Sequence, residues 1–207
     1  MNHTEIINHI IKSRNYESYL EIGVQNPFNN FYNITADYCV GIDPNVSARN
    51  VMTMTSDKFF KYNSTFFDVI FVDGDHSYDQ SMRDIENAYQ HVSSGGIILV
   101  HDVNPATEQA ASPTQAQKGT EWNGEVYRAW AKIRGGITEY SYTIDTDYGI
   151  GVIESEVKDD YRFKTVNVDW AKFSADRNKW LDLVTVEDWL KGEKERELRR
   201  IAKQAKG

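Results

Sequence analysis

In this chain acidic and histidine side chains stand directly after short apolar runs. Phe67-Asp68-Val69-Ile70-Phe71-Val72 is followed at once by Asp73-Gly74-Asp75-His76, and Ile97-Ile98-Leu99-Val100 by His101-Asp102. A carboxylate beside an imidazole orients a base that changes charge near neutrality, so His76, with Asp73 or Asp75, and secondly His101 are the candidates for proton removal. Three earlier runs end alike, with Glu21 and Gly23 after the first, Asp43 after the second, and Ser56 and Asp57 after the third. A glycine there lets a ligand approach the backbone, and an acid after the second run can accept hydrogen bonds from a ribose diol.

The runs that carry these groups are rich in β-branched and aromatic residues, as strands buried on both faces are. Strands are expected at 16–22, 38–43, 51–54, 67–72 and 97–100. Between the last two, Tyr78, Met82, Ile85, Tyr89 and Val92 recur at helical spacing, behind a Ser77/Gln80 capping box and ahead of a Gly95-Gly96 stop. Such a strand-helix-strand unit crosses over right-handedly, which gathers the acidic ends on one rim, where open α/β sheets bind ligands. Further helices are expected from a Thr4 cap through Ile11, over 27–35, and over 122–134; Asp145-Thr146-Asp147 reads as a hairpin between strands 137–144 and 148–154. The prediction is an α/β fold with a doubly wound, mostly parallel seven-stranded sheet and a terminal antiparallel hairpin. Residues 1–155 form its domain, and 156–207 a mainly helical C-terminal extension. The stretch 103–121, with Pro105 and Pro113 and no period, reads as a long loop or lid.

With 207 residues, 40% hydrophobic and 13% aromatic, the chain is a folded globular protein rather than a disordered one. A net charge of −8 argues against a nucleic-acid surface. The single cysteine, Cys39, excludes an internal disulfide framework. No apolar run approaches a membrane span and the N-terminus lacks a signal-peptide pattern, so no membrane partner and a cytoplasmic location are expected. Seven Lys or Arg and three Glu between Lys191 and Lys206 read as a solvated helical face. Trp170, Trp180 and Trp189 would pack the tail onto the domain or onto a second copy, making a homo-oligomer.

What the first turn offers a phosphate separates the nucleoside-binding possibilities. Gly23 stands alone in Glu21-Ile22-Gly23-Val24-Gln25-Asn26, without G-x-G-x-x-G spacing, and no Lys or Arg occurs between Arg14 and Arg49. A site lined by Glu21, Asp43 and Asp57 suits a cationic, phosphate-free nucleoside, of which S-adenosyl-L-methionine is one. An NAD-dependent sugar or alcohol oxidoreductase would need the glycine loop. A non-catalytic nucleoside-binding or assembly module would keep the acidic rim without turnover.

YLEIGV at 19–24, VGIDP at 40–44, TSDKFF at 55–60, FDVIFVDGDHSYD at 67–79 and GGIILVHDV at 95–103 together resemble the class I S-adenosylmethionine-dependent methyltransferases. Within them, the sequence is most similar to the small O-methyltransferase-like group with a D-G-D-H-S-Y element. The resemblance covers 16–154. It implies Glu21 and Gly23 beside the methionine part of the cofactor, Asp43 on the ribose, Ser56 and Asp57 at the adenine, and Asp73 near the transferred methyl. It also implies a small polar molecule or glycan as acceptor. Methyl transfer is an in-line displacement, for which a protein supplies alignment and, for a hydroxyl, proton removal. Some relatives place Mg2+ or another divalent cation against the acceptor hydroxyls, which implies Asp73 and Asp102 as its oxygen ligands; catechol-type relatives place Asn directly after the second acid, whereas here Val103 intervenes between Asp102 and Asn104.

Overall fold

A computed structural model describes residues 1–136, 141–155 and 167–204. In chain order the elements are α1 (His3–Arg14), β1 (Ser18–Ile22), a 3-10 turn (Phe31–Asn33), β2 (Tyr38–Ile42), β3 (Val51–Met52), α2 (Ser56–Tyr62), β4 (Phe67–Val72), α3 (Tyr78–His91) and β5 (Val92–Val100). There follow α4 (Val126–Arg134), β6 (Ser141–Ile144), β7 (Ile150–Glu154), α5 (Trp170–Ala175), α6 (Arg177–Leu181), β8 (Leu183–Val184) and α7 (Val186–Gln204). The sheet order is β3-β2-β1-β4-β5-β7-β6-β8. β1 to β5 run parallel, and β7 joins both β5 and β6 antiparallel. The crossovers go one way from β1 to β2 and the other way from β4 to β5, so a crevice opens between the carboxyl ends of β1 and β4.

The expected α/β sheet is therefore present, with one correction: it has eight strands, not seven. The eighth comes from the C-terminal segment, where Leu183 and Val184 lie parallel to Thr143 and Ile144. Two residues carry no periodicity, so nothing in the sequence marks them as a strand.

Alternate strand residues face two cores, as a sheet covered on both sides requires. Leu20, Ile22, Ile70, Val72, Ile98 and Val100 pack with Phe59, Ile85 and Trp130 on one face. Tyr19, Val69, Phe71, Ile97 and Leu99 pack with Ile6, Ile7 and Ile10 on the other. The tail enters both cores: Phe173 and Leu181 are buried in the first, and Trp189 in the second, edge-on to His9. Arg14 pins the second layer, bonding Glu154 of β7 at 2.6 and 2.9 Å and Glu193 of α7 at 2.6 and 3.0 Å. No helix among the described residues is long and apolar enough to cross a membrane.

Local signals were redirected at four points. α1 is capped by Asn2, not Thr4; Asn2 and Glu5 form a reciprocal capping box, and Thr4 Oγ1 instead donates to Asn30 Oδ1 at 2.7 Å. The helix expected over 27–35 is reduced to the 3-10 turn. There Asn26 accepts from Phe28 N and Asn33 donates to Phe28 O, bonds that compete with the helical ladder. Ser77 has N-cap geometry, but its side chain makes no cap bond; Gln80 reaches Asp84 Oδ1 at 2.9 Å instead. α3 ends at His91, before the expected Gly95-Gly96 stop, and β5 takes up those glycines. Of the expected strand at 137–144, residues 137–140 lie outside the described residues.

Candidate active site

Gly23 sets the floor of the crevice. Its φ is +89°, and a Cβ there would lie 2.1 Å from the Asp73 carbonyl oxygen. The residue is glycine because β4 passes this close to β1. Gly23 N donates to Ile42 O and Asp73 N to Ile22 O, both at 2.9 Å, which carries the parallel ladder to the rim.

Two of the expected cofactor-side acids lie at this rim. Asp43 fixes the turn after β1, accepting from Gln25 N at 2.8 Å and from Asn45 N at 2.7 Å. Glu21 is buried, and its Oε2 accepts from Tyr19 Oη at 2.6 Å and Asn30 Nδ2 at 2.7 Å. Burial outweighs those donors and, with Asp73 nearby, pushes the Glu21 carboxyl up to about 8. Ser56 and Asp57 are engaged on the α3 side. Ser56 Oγ donates to buried Asp84 at 2.6 Å, and Asp57 faces Arg83 at 3.5 Å on the surface.

The groups proposed for chemistry converge. His76 Nε2 lies 3.6 Å from Asp73 Oδ1 and 3.4 Å from Asp102 Oδ2. His101 Nδ1 lies 3.2 Å from Asp73 Oδ1 and 3.6 Å from Asp102 Oδ2. One ligand atom each from Asp73, His76 and Asp102 lies within 4.8 Å of the others. Burial alone would raise Asp73, but His101 and His76 outweigh it and hold this carboxyl below its ordinary range. Asp102 is moved the other way, because burial exceeds the pull of the imidazoles. Burial would lower both histidines. The bond to Asp73 and the charge of Asp102 raise His76 nonetheless, and the charge of Asp73, with Asp147 close by, raises His101 well above its usual value.

Residues 122–125, just after the expected loop 103–121, reach this cluster and are tied back to that loop. Asn123 and Gly124 donate their N–H groups to Ala110 O at 2.9 and 3.0 Å, and Trp122 Nε1 donates to Ser112 O at 2.8 Å. The Trp122 ring stacks on His76 with centroids 5.0 Å apart. Buried Asn123 donates to Asp102 Oδ1, and Glu125 N to His76 O at 2.8 Å. Gly124 has φ +61°, and a Cβ there would lie 2.5 Å from His76. That left-handed turn delays the helix expected from 122, so α4 begins at Val126. Asn123 was not foreseen as a site residue; the only signal was Asn-Gly, which marks a turn and not a contact.

Residues 20–103 match a family described as a methyltransferase domain. The matched stretch, 84 of the 207 residues, is similar to a methyltransferase domain, and the fold around it is consistent with that of the class I methyltransferases. That class takes its methyl group from S-adenosylmethionine, which makes this an S-adenosylmethionine-dependent methyltransferase. Among solved structures, the S-adenosylhomocysteine-bound methyltransferase PaMTH1 of Podospora anserina is similar, with 17% identity, TM-score 0.54, and 74% of this chain and 78% of that chain covered. The O-methyltransferase TomG of Streptomyces achromogenes, solved with S-adenosylmethionine, gives 14% identity and TM-score 0.50 over 74% of this chain and 79% of that one. Cofactor-bound Rv0187 from MTB gives 14% and 0.52 over 74% and 79%. At these identities the likeness is one of fold. No curated protein matches the methyltransferase in sequence.

Proposed function

We propose that this methyltransferase transfers the methyl group of S-adenosylmethionine to a hydroxyl oxygen of a small polar molecule or glycan, with His76 as the base. The observation that carries this reading is the convergence of Asp73, His76 and Asp102 to within 4.8 Å at the carboxyl ends of β4 and β5. The crevice between β1 and β4 supplies the cofactor side: Glu21 for the methionine ammonium, Gly23 for close approach, Asp43 for the ribose, and Ser56 and Asp57 towards the adenine. Ser56 would have to share its bond to Asp84 to serve there. Asp73 spans both halves of the site.

A divalent cation fits the same cluster, since two carboxylates aimed at one point are the donors a hard cation requires. Asp73 and Asp102 would hold it, with Asn123 orienting Asp102, and when bound it would stabilise the ionised acceptor oxygen. His76 Nε2 faces this point, and its ring is fixed by Trp122, so it is placed to take the hydroxyl proton. His101, turned with Nδ1 to Asp73, is assigned to hold that carboxylate rather than to be the base. The division of the chain into a catalytic domain, 1–155, and a C-terminal extension that closes over it is part of the same proposal, as is a cytoplasmic location.

Isothermal titration with S-adenosylmethionine, S-adenosylhomocysteine and NAD tests the cofactor assignment, with hydroxyl acceptors assayed in the presence and absence of Mg2+. The two sulfur nucleosides are expected to bind and NAD not to. A folded protein that binds neither would overturn the proposal.

A further inference from the structure

The donor groups of the crevice continue past His101. On the side of that ring away from Asp73, His101 Nε2 is buried and has no hydrogen-bond partner among the described residues. Asp147 Oδ2, from the β6–β7 turn, lies 3.7 Å from it. His3, the first residue of α1, places Nδ1 2.6 Å from that same oxygen. One ligand atom from each of His3, His101 and Asp147 lies within 4.8 Å of the other two. We propose that these three residues form a second cation site, separate from Asp73 and Asp102 and selective for a transition cation of the Zn2+ class.

The donor set is the first reason. Two imidazoles and one carboxylate are the ligands of open zinc sites, whereas Mg2+ favours oxygen alone. The second is what stands behind His101. Its Nδ1 lies 3.2 Å from Asp73 Oδ1, the arrangement in which a carboxylate takes the ring N–H and leaves the opposite nitrogen's lone pair for a metal. That opposite nitrogen is the one buried without a partner. The third is that all three side chains are already aimed. The His3 ring stacks on Phe71 at 5.5 Å and 19°, and meets His101 edge-on at 4.9 Å. Asp147 Oδ2 also accepts the backbone N–H of His3 at 2.7 Å, and Asp147 itself stands at φ +49°. A bound cation would replace the hydrogen bond between His3 and Asp147. It would also fix His101 as the neutral tautomer that donates to Asp73, so the two sites share one ring.

The proposal does not depend on the methyl-transfer reading, which the cofactor titration tests on its own. The experiment is titration of the full chain with Co2+, as a coloured stand-in for Zn2+, in excess Mg2+. It compares wild type with Asp102→Asn, His3→Gln and Asp147→Asn, each shown to be folded by circular dichroism. Asparagine accepts positive φ, so Asp147→Asn keeps the turn. One Co2+ per chain is expected in wild type and in Asp102→Asn, with the intense visible absorption of a four- or five-coordinate ion. That Co2+ should be lost in His3→Gln and in Asp147→Asn. In the wild-type chain, Co2+ should also shift the exchangeable imidazole protons of two histidines by proton NMR, a readout independent of the variants. Absence of Co2+ binding in wild type, loss in Asp102→Asn alone, or shifts at fewer than two histidines would overturn the site.

Discussion

If Glu21 receives the ammonium of the cofactor, cofactor affinity must depend on pH in a way the structure specifies. In the cofactor-free protein the Glu21 carboxyl is pushed up to about 8, chiefly by burial. A cation placed beside it favours the ionised form, so binding expels a proton. At pH 6 a group with that pKa is ionised in about one molecule in a hundred, which weakens binding about 100-fold, or ~2.7 kcal/mol, relative to the ionised protein. Affinity for S-adenosylmethionine is therefore expected to rise about tenfold from pH 6 to 7, while the cofactor ammonium stays charged, with close to one proton released per molecule bound. Titration calorimetry in buffers of different ionisation enthalpy counts that proton directly. Glu21→Gln removes both the slope and the release. The same shift has a consequence for stability without cofactor. Because the folded value exceeds the ordinary 4.5, the contribution of neutral Glu21 is fully present below pH 4.5 and is lost as pH rises through about 8. Glu21→Gln should flatten that decline. A wild-type affinity that does not change between pH 6 and 7, or an equal slope in the glutamine variant, would refute the placement of Glu21 beside the ammonium.

Asp43→Ala is expected to weaken cofactor binding by about 10–100-fold, through loss of the ribose bonds and of the turn held at Gln25 and Asn45. His76→Ala should leave that affinity in place and lower turnover by about 10²–10⁴-fold. Calorimetry beside a methyl-transfer assay separates the two, and equal loss of binding in both would break the division of roles. Gly23→Ala drives a Cβ to 2.1 Å from the Asp73 carbonyl, so a destabilisation of roughly 3 kcal/mol or more is expected in urea unfolding. Arg14→Leu leaves Glu154 and Glu193 buried with only the partly exposed Arg196 between them, at 3.1 and 3.5 Å. A loss of about 3–5 kcal/mol is expected by the same assay, and an unchanged midpoint would count against the network.

The sequence reading succeeded where burial on both faces leaves a one-dimensional trace. β4 and β5 are apolar runs of the right length, and the polar residue after each must leave the sheet, which placed Asp73, His76, His101 and Asp102 together before any coordinates. It was weaker where a residue's role is set by what returns from far along the chain. Asn123 meets Asp102 across 21 positions and His3 meets Asp147 across 144, and neither pair has a local signature. Ser77 and Gln80 show how a correct local pattern can be overruled: Gln80 bonds more completely to Asp84 and Ser56 than it could to the helix end. The run 27–35 failed for a related reason, since Asn26 and Asn33 satisfy the backbone of Phe28 from their side chains.

Arg14 and Glu193 are 179 positions apart. While the chain is being made, the apolar face of α1 has only its sheet side covered; the other side waits for Trp189. A chain cut ahead of α7 would leave that flank of α1 open and Arg14 with Glu154 but without Glu193. The last helix is therefore part of what closes the first, and the two ends of this sheet layer fold as one unit.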